Sequence, residues 1–335
     1  MKAYVLHGIG DMRYEDCPLP KIRPGWTLVR VSAAGICSSD IPRIFQKGTY
    51  HFPMIPGHEF CGVVENAASP EDRSWIGRRV GVFPLIPCKE CAFCRKGQYE
   101  TCSNYDYIGS RRDGGFAEYV AVPVWNLIEL PDAVSDIQGA LLEPAAVALH
   151  AVKRAEIFPD ASVCVVGSGA IGLLAGQWAR ILGAGRVVVK GRDERKRQIV
   201  QQCGLEYAAN FRADEEFDCV IEAVGSARAL EESLLLTAPG GRLVLMGNPD
   251  SPRTLSQDLY WRILRKQLTL TGTWNSSYGG ADSDWIEAVH AMESGKLQTA
   301  GVVTHALKKT ELEKGLAIMR DGMNTYCKIM LQLDK

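Results

Sequence analysis

The stretch Ser162-Val-Cys-Val-Val-Gly-Ser-Gly-Ala-Ile-Gly172 decides how half of this 335-residue chain folds. Its first residues form a fully apolar strand pattern, and the pattern of a helix follows from about residue 170 to residue 182. Three glycines spaced Gly-x-Gly-x-x-Gly between a strand and a helix are typical of a dinucleotide-binding turn. An ordinary glycine-rich turn is the alternative interpretation.

Each glycine of this turn has a separate physical role. Gly167 permits the tight turn, Gly169 lets the backbone approach a pyrophosphate, and Gly172 allows the helix to pack closely on the strand. The helix that starts with Ala170 and Ile171 offers free N–H groups and the positive end of its dipole to phosphates. These residues therefore predict a nucleotide-binding site.

Strand and helix patterns alternate beyond this turn, with further strand patterns at residues 186–190, 218–222, 242–246 and 268–272. This alternation predicts a doubly wound parallel sheet of the α/β class. The preceding run Glu143–Lys153 has a helical pattern with Pro144 in its first turn. A helix near Trp285–Ser294 and a strand-like run at residues 327–333 end the chain, and we expect that tail to rejoin the first domain.

The first 145 residues have a different character, because they are rich in Gly, Pro and β-branched residues and contain little helical periodicity. We therefore predict a β-rich domain at residues 1–145, a nucleotide-binding domain at 146–284 and a C-terminal return at 285–335.

The end of the second strand of the α/β half indicates which nucleotide binds. A carboxylate that would bind the ribose 2′-hydroxyl of NAD is expected about 20 residues after the glycines, but Gly191 and Arg192 stand there, with Arg195 close behind. A guanidinium suits a 2′-phosphate, so NADP is favoured. Asp193 could still serve the hydroxyl of NAD, and a solvated basic helix start with Asp193 as its N-cap is the structural alternative.

Four cysteines lie within a lobe at about residues 86–104 and predict a zinc site. They are spaced Cys-x-x-Cys-x-x-Cys with a fourth eight residues later, namely Cys88, Cys91, Cys94 and Cys102. Close-spaced cysteine pairs reach the tetrahedral geometry that zinc prefers, and four thiolates leave no position for a substrate. A structural zinc is therefore expected, and a thiol-redox pair is the weaker alternative.

Composition excludes several classes of protein. The chain has 38 Lys and Arg against 39 Asp and Glu, a net charge of −1, which argues against nucleic acid as the main partner. No stretch resembles a membrane span, and the start MKAYVLHGIGD lacks an apolar signal core. The eleven cysteines include no evenly spaced disulfide framework. We expect a cytoplasmic protein.

Taken together, these motifs and three dispersed segments resemble the zinc-dependent medium-chain alcohol and polyol dehydrogenases. The dispersed segments are Cys37-Ser-Ser-Asp40, Gly57-His-Glu59 and Glu143-Pro144, and Asp113-Gly-Gly-Phe-Ala-Glu-Tyr119 also matches. The motifs occur in family order over nearly the whole chain. The resemblance implies a GroES-like catalytic domain followed by a Rossmann domain, and a homodimer or homotetramer paired through the edge strand near Leu268–Trp274.

The resemblance also implies roles for individual residues. Cys37, His58 and Glu143 correspond to the ligands of a catalytic zinc, and Glu59 to a neighbouring carboxylate on the metal. Ser39 would pass on the substrate proton, and Asp40 would orient His58 from behind. A glutamate at position 143 favours the polyol branch of the family.

The implied reaction is reversible hydride transfer between a secondary alcohol and a nicotinamide cofactor. Within the family the chain looks most like the sugar-alcohol phosphate dehydrogenases, and Arg43, Arg111 and Arg112 are candidates to bind the phosphate. A free polyol such as sorbitol or xylitol is the alternative substrate, and solvated surface charges are the structural alternative for the arginines. A catalytically inactive nucleotide-binding scaffold is the alternative of a different class.

Overall fold

A computed structural model describes residues 1–249, 251–280, 283–322 and 324–333 of the chain. The chain divides into two compact units, of which the first comprises Met1–Glu143, Ser277–Glu293 and Val303–Lys335, and the second Pro144–Ser276 and Ser294–Val302. The C-terminal return therefore starts at residue 277 instead of 285, and residues 294–302 belong to the second unit.

The strands and helices are numbered along the chain. The strands are β1 (Lys2–Gly8), β2 (Asp11–Asp16), β3 (Trp26–Ile36), β4 (Glu59–Ala67), β5 (Arg79–Val82), β6 (Leu85–Ile86), β7 (Asp106–Tyr107), β8 (Tyr119–Pro123), β9 (Leu127–Glu129), β10 (Ser162–Val166), β11 (Arg186–Lys190), β12 (Glu206–Ala208), β13 (Phe217–Glu222), β14 (Thr237–Leu245), β15 (Thr269–Gly272), β16 (Val303–Lys308) and β17 (Lys328–Gln332). The α-helices are α1 (Asp40–Pro42), α2 (Asp136–Arg154), α3 (Ala170–Ile181), α4 (Arg197–Gln202), α5 (Ala227–Leu236), α6 (Gln257–Arg265), α7 (Asp284–Glu293) and α8 (Leu312–Asp321).

The second unit contains the parallel sheet that the sequence predicts. Its six strands lie in the order β12-β11-β10-β13-β14-β15, and every neighbouring pair is parallel. The strands are apolar because both faces of such a sheet are covered, and the buried side chains include Val166, Phe217 and Leu243. Strand order reverses between β10 and β13, which leaves a crevice at their carboxyl ends where nucleotides bind in this fold. The predicted doubly wound sheet is therefore confirmed.

The first unit is built around a mostly antiparallel sheet in the order β16-β17-β3-β4-β5-β9, with β8 also pairing with β3. The long strand β3 lies in the middle, and its core-facing residues pack with Phe60 and Phe116. Strand β17, from the end of the chain, pairs antiparallel with β3 so that Ile329 lies opposite Ile36. This pairing brings residue 328 beside the segment that follows β3.

Helix α2 begins earlier than its sequence pattern indicates. Pro144 lies inside the helix instead of in its first turn, and the helix starts at Asp136. The start is fixed by a capping box, because Gln138 N donates to Ser135 Oγ at 3.3 Å and Ser135 N donates to Gln138 Oε1 at 2.9 Å. Glu143 is therefore held in the middle of a helix.

Two further observations bear on the class of protein. Among the described helices, none is long and apolar enough to cross a membrane. All eleven cysteines are free thiols.

Candidate functional site

Three potential metal ligands converge in the first unit. Cys37 follows strand β3, and Glu59 begins strand β4 opposite Gly35 on β3, so the antiparallel register brings the two segments together. The sulfur of Cys37, a ring nitrogen of His58 and a carboxylate oxygen of Glu59 all lie within 4.8 Å of one another. His58 and Glu59 are buried, with 5% and 1% of their surface exposed.

The carboxylate in this group differs from the one expected. The resemblance predicts Glu143 as the third ligand and Glu59 as a neighbouring carboxylate on the metal, and the group within 4.8 Å contains Glu59 and not Glu143. Glu143 is also buried, and its Oε1 accepts a hydrogen bond from the Tyr107 hydroxyl at 3.3 Å. The Tyr107 ring packs edge-on against the His58 ring, with centroids 5.9 Å apart. Two carboxylates therefore stand at the site, and Tyr107 is a member that sequence analysis did not identify.

Lys328 is the second member that sequence analysis did not identify. Its Nζ forms a buried ion pair with Glu59 Oε2 and donates to the carbonyl of Ile36 at 3.0 Å. Gly35 makes room for this pair, because a Cβ at that position would lie 2.3 Å from Glu59 Oε2. A lysine within the otherwise apolar run of β17 was the signal in the sequence.

The electrostatics of the site are dominated by desolvation. It raises the pKa of Glu143 to about 8, with further upward contributions from the charges of Glu59 and Cys37. Desolvation and then the Glu59 charge raise the pKa of the Cys37 thiol to about 11. Desolvation opposes the charge of Lys328, but the Glu59 carboxylate raises its pKa on balance. Burial thus disfavours the charged forms of the Glu143 carboxyl and the Cys37 thiol, a cost that a bound cation would offset.

Asp40 and Ser39 lie beside the group in the segment that starts α1. The fully buried carboxylate of Asp40 accepts from the Cys37 N–H at 3.0 Å and from Arg43 Nη1 at 2.7 Å. Its Oδ1 is 3.7 Å from His58 Nδ1, which is too long for a hydrogen bond, and that nitrogen has no partner. The Ser39 hydroxyl donates to Cys37 Sγ at 3.3 Å. The structure therefore places Asp40 next to the imidazole without bonding to it.

The residues fit zinc on the chemistry of their donor atoms. One thiol, one imidazole and one carboxylate are three ligands of the kinds that catalytic zinc takes, with a fourth position left for substrate. The clustering of these three donor atoms within 4.8 Å fits a site that a cation completes.

The four cysteines of the lobe also converge. Their sulfurs lie within 4.8 Å of one another, with Cys88 Sγ 3.9 Å from Cys94 Sγ and 3.5 Å from Cys102 Sγ. Tetrahedral zinc with Zn–S bonds of about 2.3 Å would hold sulfurs roughly 3.8 Å apart. Backbone N–H groups of Cys94 and Ser103 lower the pKa of Cys91 to about 6, whereas burial raises the pKa of Cys94 to about 12. The lobe fits a structural zinc with a closed coordination shell.

The glycine turn of the second unit has the geometry for a nucleotide. Gly167 adopts φ +126°, and a Cβ at Gly172 would lie 1.9 Å from the carbonyl oxygen of Gly167. A Cβ at Gly169 would meet nothing within 4 Å, so space remains in front of the helix that begins at Ala170. A cavity of about 250 Å³ lies at the carboxyl ends of β13, β14 and β15, lined by residues that include Glu222, Met246 and Thr273. Sequence analysis did not identify this cavity.

The predicted nucleotide-selecting residues lie at the end of β11. Asp193 caps the following turn and is engaged by Arg195, whose N, Nε and Nη2 all donate to its carboxylate at 2.8–3.1 Å. Arg195 consequently lowers the pKa of Asp193. Arg192 is exposed and, within the described part of the chain, makes no hydrogen bond or ion pair.

The three arginines proposed for substrate binding have different surroundings. Arg43 is paired with Asp40, and Arg112 with Asp106. Arg111 instead lies over the rings of Tyr50 and Tyr105, at 4.6 and 4.3 Å from their centroids. Among the described residues no carboxylate pairs with Arg111, so its charge is not neutralised by the protein.

Comparisons with known proteins bear on the family of this chain. Residues 23–132 match the model of the alcohol dehydrogenase GroES-like domain, and residues 170–294 match that of the zinc-binding dehydrogenases. The chain is 33% identical to galactitol 1-phosphate 5-dehydrogenase of Escherichia coli, over 91% of this chain and 92% of that protein. The chain belongs to the zinc-dependent medium-chain alcohol and polyol dehydrogenase family.

Other members of this dehydrogenase family are similarly close. Erythritol/L-threitol dehydrogenase of Mycolicibacterium smegmatis is 31% identical over 96% of this chain and 95% of that protein. The crystal structure of galactitol-1-phosphate dehydrogenase from E. coli has a TM-score of 0.92 and 31% identity, covering 99% of this chain and all of that one. That of a zinc-binding dehydrogenase from Sinorhizobium meliloti bound to NADP has a TM-score of 0.91 and 28% identity, covering 99% of both chains. The protein is therefore a dehydrogenase, and its relatives support a polyol as the substrate.

Proposed function

We propose that this dehydrogenase oxidises a secondary alcohol of a polyol phosphate to the ketose phosphate, reversibly, with NADP as the hydride acceptor. The observation that carries the proposal is the buried group of Cys37, His58 and Glu59, whose ligand atoms lie within 4.8 Å. Galactitol 1-phosphate is the reference substrate, because a family member named for it is 33% identical to this chain.

Cys37, His58 and Glu59 would hold the catalytic zinc, with Glu143 as a second carboxylate within the same site. Zinc, when bound, acts as a Lewis acid that lowers the pKa of an alcohol oxygen. Lys328 fixes one oxygen of Glu59, which leaves the other oxygen of that carboxylate for the metal. Tyr107 holds Glu143 in the same way through Oε1. The four-cysteine lobe would hold a second, structural zinc.

Ser39 would receive the proton that leaves the substrate oxygen. Its hydroxyl is fixed by the hydrogen bond to Cys37 Sγ, which places it beside the proposed metal position. Pro42 follows in the segment where many family members have a histidine relay, so the proton leaves Ser39 through water or the nucleotide ribose. The nicotinamide cofactor, when bound, would supply the redox chemistry by accepting a hydride from the carbon that bears this oxygen.

Two observations support NADP over NAD. Position 191 is glycine, so it cannot supply the carboxylate that binds a ribose 2′-hydroxyl. Asp193, the alternative acid, is occupied by Arg195, while Arg192 stands exposed without a partner in the described chain. A guanidinium without a carboxylate partner suits a 2′-phosphate.

Arg111 would bind the phosphate of the substrate. Its charge is not neutralised, and stacking between Tyr50 and Tyr105 holds the guanidinium in place. The second candidate, a free-polyol dehydrogenase, is favoured by the pairing of Arg43 and Arg112 with carboxylates, since these arginines are not available for a phosphate.

The test is a kinetic panel of galactitol and galactitol 1-phosphate, and of sorbitol and its phosphate, each with NAD and NADP. The proposal predicts a higher kcat/KM for the phosphorylated member of a pair and for NADP. Equal kcat/KM values within each pair would replace the phosphate proposal with the free-polyol alternative.

A second copy of this chain is the proposed partner, joined through strand β15. This strand ends the parallel sheet, and three of its four residues, including Leu270, are exposed. Helix α6 adds the exposed side chains of Tyr260, Trp261 and Leu264. An exposed apolar edge favours pairing with another edge.

We place the enzyme in the cytoplasm, because its zinc lobe requires reduced thiols.

A further inference from the structure

Tyr207 on strand β12 has a hydroxyl with no partner in a buried position. Only 8% of the residue's surface is exposed, and its Oη makes no hydrogen bond. A buried hydroxyl is normally hydrogen-bonded, and leaving it unpaired costs stability. The unpaired hydroxyl therefore indicates a ligand that would form the missing hydrogen bond with it.

The ring of Tyr207 lies at the end of β11, next to Gly191. Strand β12 pairs with β11 so that Tyr207 lies opposite Val189, and Gly191 N donates to the carbonyl of Ala208 at 3.0 Å. A Cβ built at Gly191 would lie 2.7 Å from Tyr207 Cε2 and 2.7 Å from Ser168 Oγ. The Tyr207 ring and the Ser168 side chain together occupy the space into which a side chain at position 191 would project.

Charged groups of both signs surround this position. The guanidinium of Arg197 lies over the Tyr207 ring, 4.7 Å from its centroid, and is itself paired with Glu194 at 2.9 Å. The Lys196 ammonium donates to the carbonyl of Ser168 at 3.4 Å. Burial, Glu194 and Asp193 raise the pKa of Tyr207 while Arg197 lowers it, so the hydroxyl remains a proton donor at neutral pH and lies among the charged groups of this turn. A hydroxyl donor beside guanidinium and ammonium groups is a combination that suits a phosphate.

We propose that the Tyr207 hydroxyl donates a hydrogen bond to the 2′-phosphate of the adenosine ribose, and that its ring bars a carboxylate from position 191. This inference rests on the proposed use of NADP and assigns selection to a residue about 35 positions beyond the glycine turn. Tyr207 would therefore have two roles in cofactor selection. Its hydroxyl would favour binding of the 2′-phosphate of NADP, and its ring would exclude the carboxylate side chain that binds the 2′-hydroxyl of NAD.

The experiment is isothermal calorimetry on the zinc-loaded full chain, with adenosine 2′,5′-bisphosphate and 5′-AMP, which differ only in the 2′-phosphate. Tyr207→Phe is expected to weaken binding of the bisphosphate about tenfold or more and to leave 5′-AMP within about twofold, because a hydrogen bond to a charged group is lost. Tyr14→Phe, at a half-buried tyrosine on strand β2 of the first unit, is the matched control and should change neither. Unchanged bisphosphate affinity, or equal weakening of both ligands, would overturn the proposal.

A second pair of variants tests the steric half. Gly191→Asp alone is expected to gain no affinity for NAD, whereas Gly191→Asp combined with Tyr207→Ala and Ser168→Ala gains it, because removing both the ring and the Ser168 hydroxyl frees the space for the carboxylate. An equal gain in the single variant would overturn the steric argument. A different result would contradict the proposed preference for NADP itself. That result is an unmodified protein that binds 5′-AMP as tightly as it binds adenosine 2′,5′-bisphosphate.

Discussion

Lys328 Nζ and Glu59 Oε2 form an ion pair in which both side chains are 5% exposed or less. The pair joins the last strand of the first unit to the carboxylate of the proposed catalytic metal group, and Lys328 also donates to the carbonyl of Ile36. Breaking one side of a buried pair leaves an uncompensated charge in a dry environment. The position of Glu59 therefore depends on a residue almost 270 positions away in the sequence.

Replacing Lys328 with methionine is expected to lower the free energy of unfolding of the zinc-free protein by about 3–5 kcal/mol, because Glu59 then remains buried with neither its lysine partner nor a metal. Urea unfolding measures this change. Lys309→Met is the matched control, since it removes an ion pair with the half-buried Glu118 and is expected to cost about 1 kcal/mol or less. Equal losses of unfolding free energy in the two variants would show that the buried pair stabilises the protein no more than the half-buried pair does.

The lobe should hold a zinc ion of its own. Replacing Cys94 with serine is expected to remove one of two zinc ions per chain, because a closed four-thiolate site rarely survives the loss of a ligand. Elemental analysis measures the ratio of metal to protein. Cys17→Ser, at a half-buried cysteine outside both groups, is the control and should retain both ions. Full zinc content in the Cys94 variant would contradict the assignment of the lobe.

Substrate recognition is expected to depend on Arg111. Replacing it with glutamine should lower kcat/KM for galactitol 1-phosphate about tenfold or more and leave galactitol nearly unchanged, because a charged hydrogen bond to phosphate is lost. Arg112→Gln is the matched neighbour, and its pairing with Asp106 predicts little effect. A similar loss on both substrates in the Arg111 variant would mean that Arg111 supports the fold of the loop instead of binding phosphate.

Strand β15 provides a test of the proposed assembly. A lysine in place of Leu270 is expected to shift the chain to a monomer, because charge on an edge strand opposes pairing. Light scattering after size-exclusion chromatography reports the mass. Leu235→Lys, at an exposed leucine on helix α5, should leave the assembly intact. Dimers that persist in the Leu270 variant would contradict an interface at this strand.

Much of the fold follows from local patterns. The glycine turn at residues 167–172 and the apolar strands around it predict the parallel sheet, because strand burial and turn geometry are both encoded locally. The start of α2 was placed wrongly because Pro144 suggested a first turn. The Ser135 and Gln138 capping box, which does fix that start, was not recognised.

The site was less accessible from the sequence, because its geometry depends on contacts between distant segments. Cys37, His58 and Glu59 come from segments that the sequence does not show to be close, and the β3–β4 register brings their ligand atoms within 4.8 Å. The expected hydrogen bond between Asp40 and His58 is absent in the described geometry, since Asp40 bonds to Cys37 N and Arg43 instead. Tyr107 belongs to no motif that indicates a site, and Lys328 stands out only as a charged residue in the mostly apolar run of β17.

The most direct measurement is the zinc content of Cys37→Ala, compared with its turnover. The account predicts two zinc ions per chain in the active protein, and one ion with no measurable turnover in this variant, because only the lobe keeps its ligands. A variant that keeps turnover close to that of the unmodified protein, or an unmodified protein that is fully active with a single ion per chain, would contradict the proposed catalytic metal site.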